Sequence, residues 1–117
     1  MGETPLIDRH SQRKTSQLDA GEAQSLLKQL HPDWSITEDG LAIRRRLSFS
    51  NYYQTIAFVN ALAWIAHQQD HHPDLQVGYN HCTARFSTHS AGGLSENDFI
   101  CAAKVDVLVV STGMDPD

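Results

Sequence analysis

The hydrophobic periodicity of this chain alternates between helical and extended stretches, and the extended stretches come in neighbouring pairs. That order limits the possible folds more than any other feature. Ala23, Leu26, Leu27 and Leu30 recur at i, i+3, i+4 and i+7 as one apolar stripe. Asp19 and Glu22 just ahead have the spacing of a capping box, and Pro32 stops the helix. Trp34 and Ile36 then alternate with polar residues, and Glu38-Asp39-Gly40 carries the Asp-Gly hairpin signal. Leu41, Ile43, Leu47 and Phe49 follow at period two, interrupted by Arg45. A second helix is capped by Ser50 or Asn51. Tyr52, Ile56, Val59, Ala63 and Ala66 form its stripe, which Phe58, Leu62 and Ile65 broaden, so it is buried on more than one side. Pro73 pushes His72 out of the helical region and ends the helix near Asp70 or His71. Leu75, Val77 and Tyr79 alternate as a third strand and Cys82, Ala84, Phe86 and Thr88 as a fourth, with Asn80 at the bend. Gly92-Gly93 reads as a loop. Ser95 to Asp98 is an S-x-x-D start to a last helix with Phe99, Ala102, Ala103, Val105 and Val109 as its apolar positions.

The order is therefore αββαββα. Strands in hairpins predict an α+β fold, a four-stranded antiparallel sheet with helices packed on one face. Such a sheet leaves an edge to manage, and edge-to-edge dimerisation is one solution. Residues 1–17 are polar, mixed in charge and without periodicity, and read as a mobile N-terminal tail. The domain is expected over 18–112, and 113–117 is a C-terminal tail.

A chain of 117 residues fits one compact domain. Its formal net charge of -5 argues against nucleic acid or an anionic membrane surface as the main partner. The basic run Arg44-Arg45-Arg46 reads as a solvated strand edge. Cys82 and Cys101 fall in different elements and in no CxxC pattern, so free thiols in a reducing compartment are expected. No apolar run approaches the ~18 residues of a membrane span. No charged n-region precedes an apolar stretch at the N-terminus. A cytoplasmic protein is the simplest reading.

Seven histidines stand at positions 10, 31, 67, 71, 72, 81 and 89. His10, His31 and His81 read as surface residues. The other four cluster at the end of the second helix and the end of the fourth strand, where a rigid scaffold presents side chains to a pocket. His67 and His71 are i, i+4 and share a helix face. His72 lies just outside that helix, and His89 ends a strand and opens a glycine-containing loop. The i, i+4 pair is a legitimate metal spacing but lacks the acid of an H-E-x-x-H site, so no metal is expected.

Read together, these residues form a pattern: His67, three residues, His71-His72-Pro73, five residues, Tyr79, nine residues, His89, eight residues, Asp98. The pattern resembles that of the pterin-4a-carbinolamine dehydratases. The segments Val77-Gly78-Tyr79-Asn80, Ser87-Thr88-His89 and Gly93-Leu94-Ser95-Glu96-Asn97-Asp98 are similar to the family as well. The resemblance covers roughly residues 18 to 110. It implies the αββαββα fold and the removal of water from 4a-hydroxytetrahydropterin to give quinonoid dihydropterin, in recycling of the tetrahydrobiopterin-type cofactor of an aromatic amino acid hydroxylase.

By that resemblance His71 and His89 transfer protons and His72 binds near the 4a-oxygen. Asp70, His71, His72, Ser87, Thr88, His89 and Ser90 hold the pterin, and His67 and Tyr79 shape the pocket. Asp98, third in its helix, reads as a cap carboxylate suited to the helix dipole rather than as a catalytic group. The chemistry suits imidazole, because the leaving hydroxyl must gain a proton and the ring nitrogen must lose one. An unperturbed imidazole can do either near neutral pH. No cofactor is implied. Where the family carries a carboxylate, this chain has His67, which supplies no negative charge. Relatives have been recruited as dimerisation partners of a transcription factor and as assembly factors for carbon-fixing enzymes. The resemblance therefore also implies a homodimer or homotetramer, and an assembly client as an alternative protein partner.

Overall fold

The computed structural model describes residues 4–112. Helix α1 spans Ala20–Leu27, strand β1 Ser35–Ile36, β2 Ile43–Ser48, helix α2 Tyr52–Gln69, β3 Asp74–Val77, β4 His81–Phe86 and helix α3 Glu96–Ser111. This is the αββαββα order expected from periodicity. The four strands form one antiparallel sheet in the order β1-β2-β4-β3.

Local chemistry fixes the helix starts. Asp19 and Glu22 close a reciprocal capping box on α1. Asn51, rather than Ser50, caps α2 through the N–H of Gln54. Ser95 and Asp98 close a second box on α3. Helix α1 ends before Pro32, at Leu27, and its chain continues in turns to Leu30.

The helices cover one face of the sheet. Ile43, Leu47, Cys82, Ala84 and Phe86 point from the sheet into the core, where Phe58 and Leu62 of α2 and Phe99, Val105 and Val109 of α3 meet them. Burying one such large side chain contributes roughly 1.5–3 kcal/mol. The opposite face is polar. Strand β3 is a mostly exposed edge.

Two expectations change. The run Arg44-Arg45-Arg46 lies on β2, an interior strand, and is no solvated edge. Period-two alternation sends Arg44 and Arg46 outward and Arg45 into the core, where it is 2% exposed. Its Nη1 sits 2.7 Å from Oδ1 of Asp106 on α3. The same carboxylate accepts from the indole Nε1 of Trp34 and the backbone N–H of His31. A cation in the core is thus held by a partner that also ties α3 to the β1 side.

Residues 6–12, read from the sequence as part of a mobile tail, are tied to the body. A short 3-10 turn at Leu6–Asp8 inserts Leu6 into the core. Ser11 donates through its N–H to Oε1 of Gln69, and Gln12 and Asn97 exchange hydrogen bonds. One buried leucine among polar residues has no period to reveal it. The expected C-terminal tail, 113–117, lies outside the described residues. Among the described residues no helix is long and apolar enough to cross a membrane.

Candidate active site

Three chain segments meet at one end of the sheet. The first is the end of α2. Asp70 takes a left-handed conformation, φ 50, and its N–H caps the carbonyls of Ala66 and His67. The N–H of His71 reaches the Ala66 carbonyl at 3.1 Å. This is the reverse turn that commonly ends helices, made here on a short polar residue that tolerates the left-handed region. Pro73 keeps the chain extended afterwards. The turn sends two adjacent imidazoles different ways: His71 is largely covered, and His72 is exposed.

The second segment continues β4. Ala84, Phe86 and Thr88 face inward and are buried, which leaves Arg85 and Ser87 on the other side of the strand. Thr88 pairs with Gly93 as an isolated antiparallel bridge. Between them a 3-10 turn, His89–Ala91, carries the exposed His89, and Gly92 closes it at φ 78.

The third segment is the start of α3. Asp98 has no solvent exposure. Its Oδ2 accepts from the Thr88 hydroxyl at 2.8 Å and from the Ser95 N–H at 2.9 Å. Its Oδ1 lies 2.6 Å from Nε2 of His71. The Thr88 and Ser95 hydroxyls touch at 2.6 Å. A carboxylate only accepts, so Nε2 of His71 carries the hydrogen. The imidazole also lies nearly parallel to the Phe86 ring, centroids 6.1 Å apart and planes 12° apart. His71 is thereby fixed in orientation and tautomer. Asp98 caps its helix as expected, and it is also the partner of His71. Sequence spacing supplied that signal in the position of Asp98 within the motif; the cap role alone masked it.

His72 joins two adjoining cavities. One, of about 390 Å³, is lined by His67, Asp70, His71, His72 and Leu75 among others. The other, of about 600 Å³, is lined by His72, Ser87, Thr88, His89, Asp74 and Arg85 with the glycine loop. His72 and His89 thus share one cavity, and His71 and His72 share its neighbour. His67 lines the first cavity from the last turn of α2, tilted against Trp64 at 5.5 Å. Ser90 lies exposed in the 3-10 turn and outside both linings.

Tyr79 does not shape either cavity. The third strand stops at Val77, and Tyr79 sits 65% exposed in the β3–β4 turn, stacked on Tyr52 at 6.3 Å. That turn precedes β4, whereas His89 follows it, so the length of a strand separates them. Alternation continued past the true strand end, because an aromatic on a turn looks like the next strand position.

Cys101 sits behind the site, its Sγ 3.9 Å from the His71 carbonyl. Burial, and next the charge of Asp98, push its thiol up to about 12 against a smaller lowering by Lys104. Burial alone pushes Cys82 up to about 11. Both thiols are free and buried, hence unreactive as nucleophiles. Among the described residues no group of three or more His, Cys, Asp and Glu side chains is arranged to hold a metal ion.

Comparison with known proteins shows the family and the fold. The family model described as pterin 4 alpha carbinolamine dehydratase matches residues 16–108, which spans α1 to most of α3. A protein of Nitrosomonas eutropha, named "Putative pterin-4-alpha-carbinolamine dehydratase", is 61% identical over 90 residues, 77% of this chain and 78% of its own. A protein of Xanthomonas campestris pv. campestris with the same name is 58% identical over 104 residues, 86% of this chain and 87% of its own. A crystal structure from Brucella melitensis, described as a transcriptional coactivator/pterin dehydratase, superposes with a TM-score of 0.76 at 28% identity. It covers 80% of this chain and 98% of that one. A pterin dehydratase-like protein identified as a RuBisCO assembly factor in the alpha-carboxysome gives a TM-score of 0.57 at 28% identity, over 67% of this chain and 90% of that one. With the matched segment running through every element that builds the histidine site, the chain belongs to the pterin-4a-carbinolamine dehydratase family.

Proposed function

We propose that this protein dehydrates 4a-hydroxytetrahydropterin to quinonoid dihydropterin by histidine acid–base chemistry, in recycling of a pterin cofactor. The observation that supports this most is the pairing of His71 with a fully buried Asp98, beside a cavity wall that His72 shares with His89. Asp98 occupies Nε2 of His71, so Nδ1 is the nitrogen left for proton exchange. The reaction needs a proton delivered to the hydroxyl leaving C4a and a proton removed from N5. His71 and His89 exchange those protons and His72 binds the 4a-oxygen. The backbone around Asp70–His72 and Ser87–His89 holds the ring. Help of this kind is worth about 10²–10⁴-fold in rate. The reaction consumes no cofactor. The protein works in the cytoplasm as a homodimer or homotetramer, with an aromatic amino acid hydroxylase as the source of its substrate.

A second reading is favoured by one observation. The fold is like that of a RuBisCO assembly factor, and His67 stands where the family resemblance implies that a carboxylate is usual. A fold can persist after its chemistry is lost. In this reading the chain binds a client protein and dehydrates little or nothing.

Decay of chemically generated 4a-hydroxytetrahydropterin separates the two. The dehydratase accelerates it, and His67→Glu accelerates it further by restoring a negative charge next to the active imidazoles. A pure assembly factor gives the uncatalysed rate in both forms and copurifies with its client.

A further inference from the structure

The cavity shared by His72 and His89 extends beyond them onto the polar face of the sheet. Asp74 and Arg85, on neighbouring strands, are part of its lining. The two are cross-strand partners of β3 and β4, and Oδ2 of Asp74 lies 3.6 Å from Nη1 of Arg85. The ladder continues to Arg44, the cross-strand partner of Arg85 on its other side. Like charges directly opposite repel, so Arg85 is favoured toward Asp74 and the cavity. At 3.6 Å the contact is longer than a hydrogen bond, and a guanidinium has five donors. The charge of Arg85 also reaches Asp39 in the β1–β2 turn. That carboxyl is held below its ordinary value first by the Thr37 hydroxyl and then by the Leu41 N–H, with a lesser lowering by Arg85 that is outweighed by the opposing effect of burial.

A volume of about 600 Å³ exceeds what a bicyclic ring between two imidazoles requires. Resting on the dehydratase reading, we infer that Asp74 and Arg85 are specificity-determining residues that bind a neutral polyhydroxyalkyl side chain on the pterin. A hydroxyl both donates and accepts, and a vicinal diol matches a carboxylate and a guanidinium set side by side. The diol donates to Asp74 and accepts from Arg85, with each bond charge-assisted. A phosphate or carboxylate tail matches less well, because Asp74 opposes its charge. A bare methyl group uses neither residue.

The test compares 4a-hydroxytetrahydropterins bearing a dihydroxypropyl, a methyl or a phosphorylated trihydroxypropyl group at C6, together with binding of the stable 7,8-dihydro forms. Wild type should favour the dihydroxypropyl compound over the methyl compound by about tenfold in KM and in Kd, an upper value for charged contacts made by a half-exposed Arg85 and a largely exposed Asp74. Arg85→Gln and Asp74→Asn should each bring that ratio close to one. Arg46→Gln, on the same sheet face but lining a different cavity, should leave it in place. A ratio near one in wild type, or a ratio that survives both substitutions, overturns the inference. So does preference for the phosphorylated compound that Arg85→Gln removes, which would mark an anion site. If wild type dehydrates the methyl compound yet shows no preference, the inference fails and the dehydratase reading stands. If it dehydrates none of them, that reading fails, and the 7,8-dihydropterin Kd ratio still decides the inference.

Discussion

Nε2 of His71 lies 2.6 Å from Oδ1 of Asp98, a carboxylate with no exposure to solvent. The pair joins the end of α2 to the start of α3, and the second oxygen of Asp98 is held by Thr88, one residue before His89. One buried carboxylate therefore ties together both histidine-bearing segments.

Asp98→Asn keeps the size of the side chain and an oxygen for the Ser95 N–H. It removes the acceptor that fixes the His71 tautomer. Dehydration should fall by about 10² or more with a small change in Tm. Asp98→Ala should cost about 3 kcal/mol in urea denaturation, because His71, Thr88 and Ser95 lose a buried partner. Equal activity in wild type and Asp98→Asn would separate the pair from the chemistry.

Asp106 tests the core in a similar way. Removing it leaves the guanidinium of Arg45 inside the sheet–helix layer and Trp34 Nε1 without its acceptor. Asp106→Ala should cost about 3 kcal/mol, whereas replacing both members, Arg45→Met with Asp106→Leu, should cost much less. Chemical denaturation of the two variants is the check. Equal losses would mean that the Trp34 and His31 donors, which lose their acceptor in both variants, decide stability rather than a stranded charge.

The elements were legible where local chemistry is self-contained. Asp19 with Glu22, Asn51, and Ser95 with Asp98 cap their helices within four residues, so spacing alone announces them. The alternation of Ile43, Leu47, Cys82, Ala84 and Phe86 reports one buried face in the same way. What stayed hidden depends on partners far along the chain. Arg45 breaks an apolar alternation yet belongs to it, because Asp106 on a different element neutralises it. Leu6 gains its place from helix α3, and Asp98 gains its second role from a histidine on α2. The imidazoles that line the cavities were named by the motif. The charged end of the cavity was not, since Asp74 and Arg85 meet only through strand register.

Leu6 gives a measure of how firmly the N-terminal segment is held. Its side chain is 3% exposed, and neighbouring bonds run from Lys104 to the Ile7 carbonyl and from Arg9 to Glu96. Leu6→Ala should cost about 2 kcal/mol in stability. It should also raise amide hydrogen exchange over residues 5–12. An unchanged exchange pattern and stability would mean that this segment contributes nothing to the fold.

The buried thiols set an alkaline limit. The ordinary thiol pKa is 9.0, and burial raises Cys82 to about 11 and Cys101 to about 12. Above pH 9 the unfolded chain releases thiol protons that the folded chain retains. Stability from this source is therefore complete below about pH 9 and declines as pH rises toward the folded values, by up to about 1.4 kcal/mol per pH unit per thiol. Denaturation at pH 8 and pH 10 should show a smaller alkaline loss in Cys101→Ala than in wild type, and native protein at pH 8 should not react with a thiol reagent. Rapid labelling of the folded protein would mean that the thiols are accessible rather than buried.

In the proposed reaction, histidines from two separate stretches act on one pterin. A double-mutant cycle on the dehydration rate of 4a-hydroxytetrahydropterin, with wild type, His71→Ala, His89→Ala and the double variant, decides whether they do. Each single change should remove most of the rate enhancement, on the order of 10²-fold or more, and the double change should cost little beyond either one. A wild-type rate equal to the uncatalysed decay, or His89→Ala as active as wild type, would contradict that joint action.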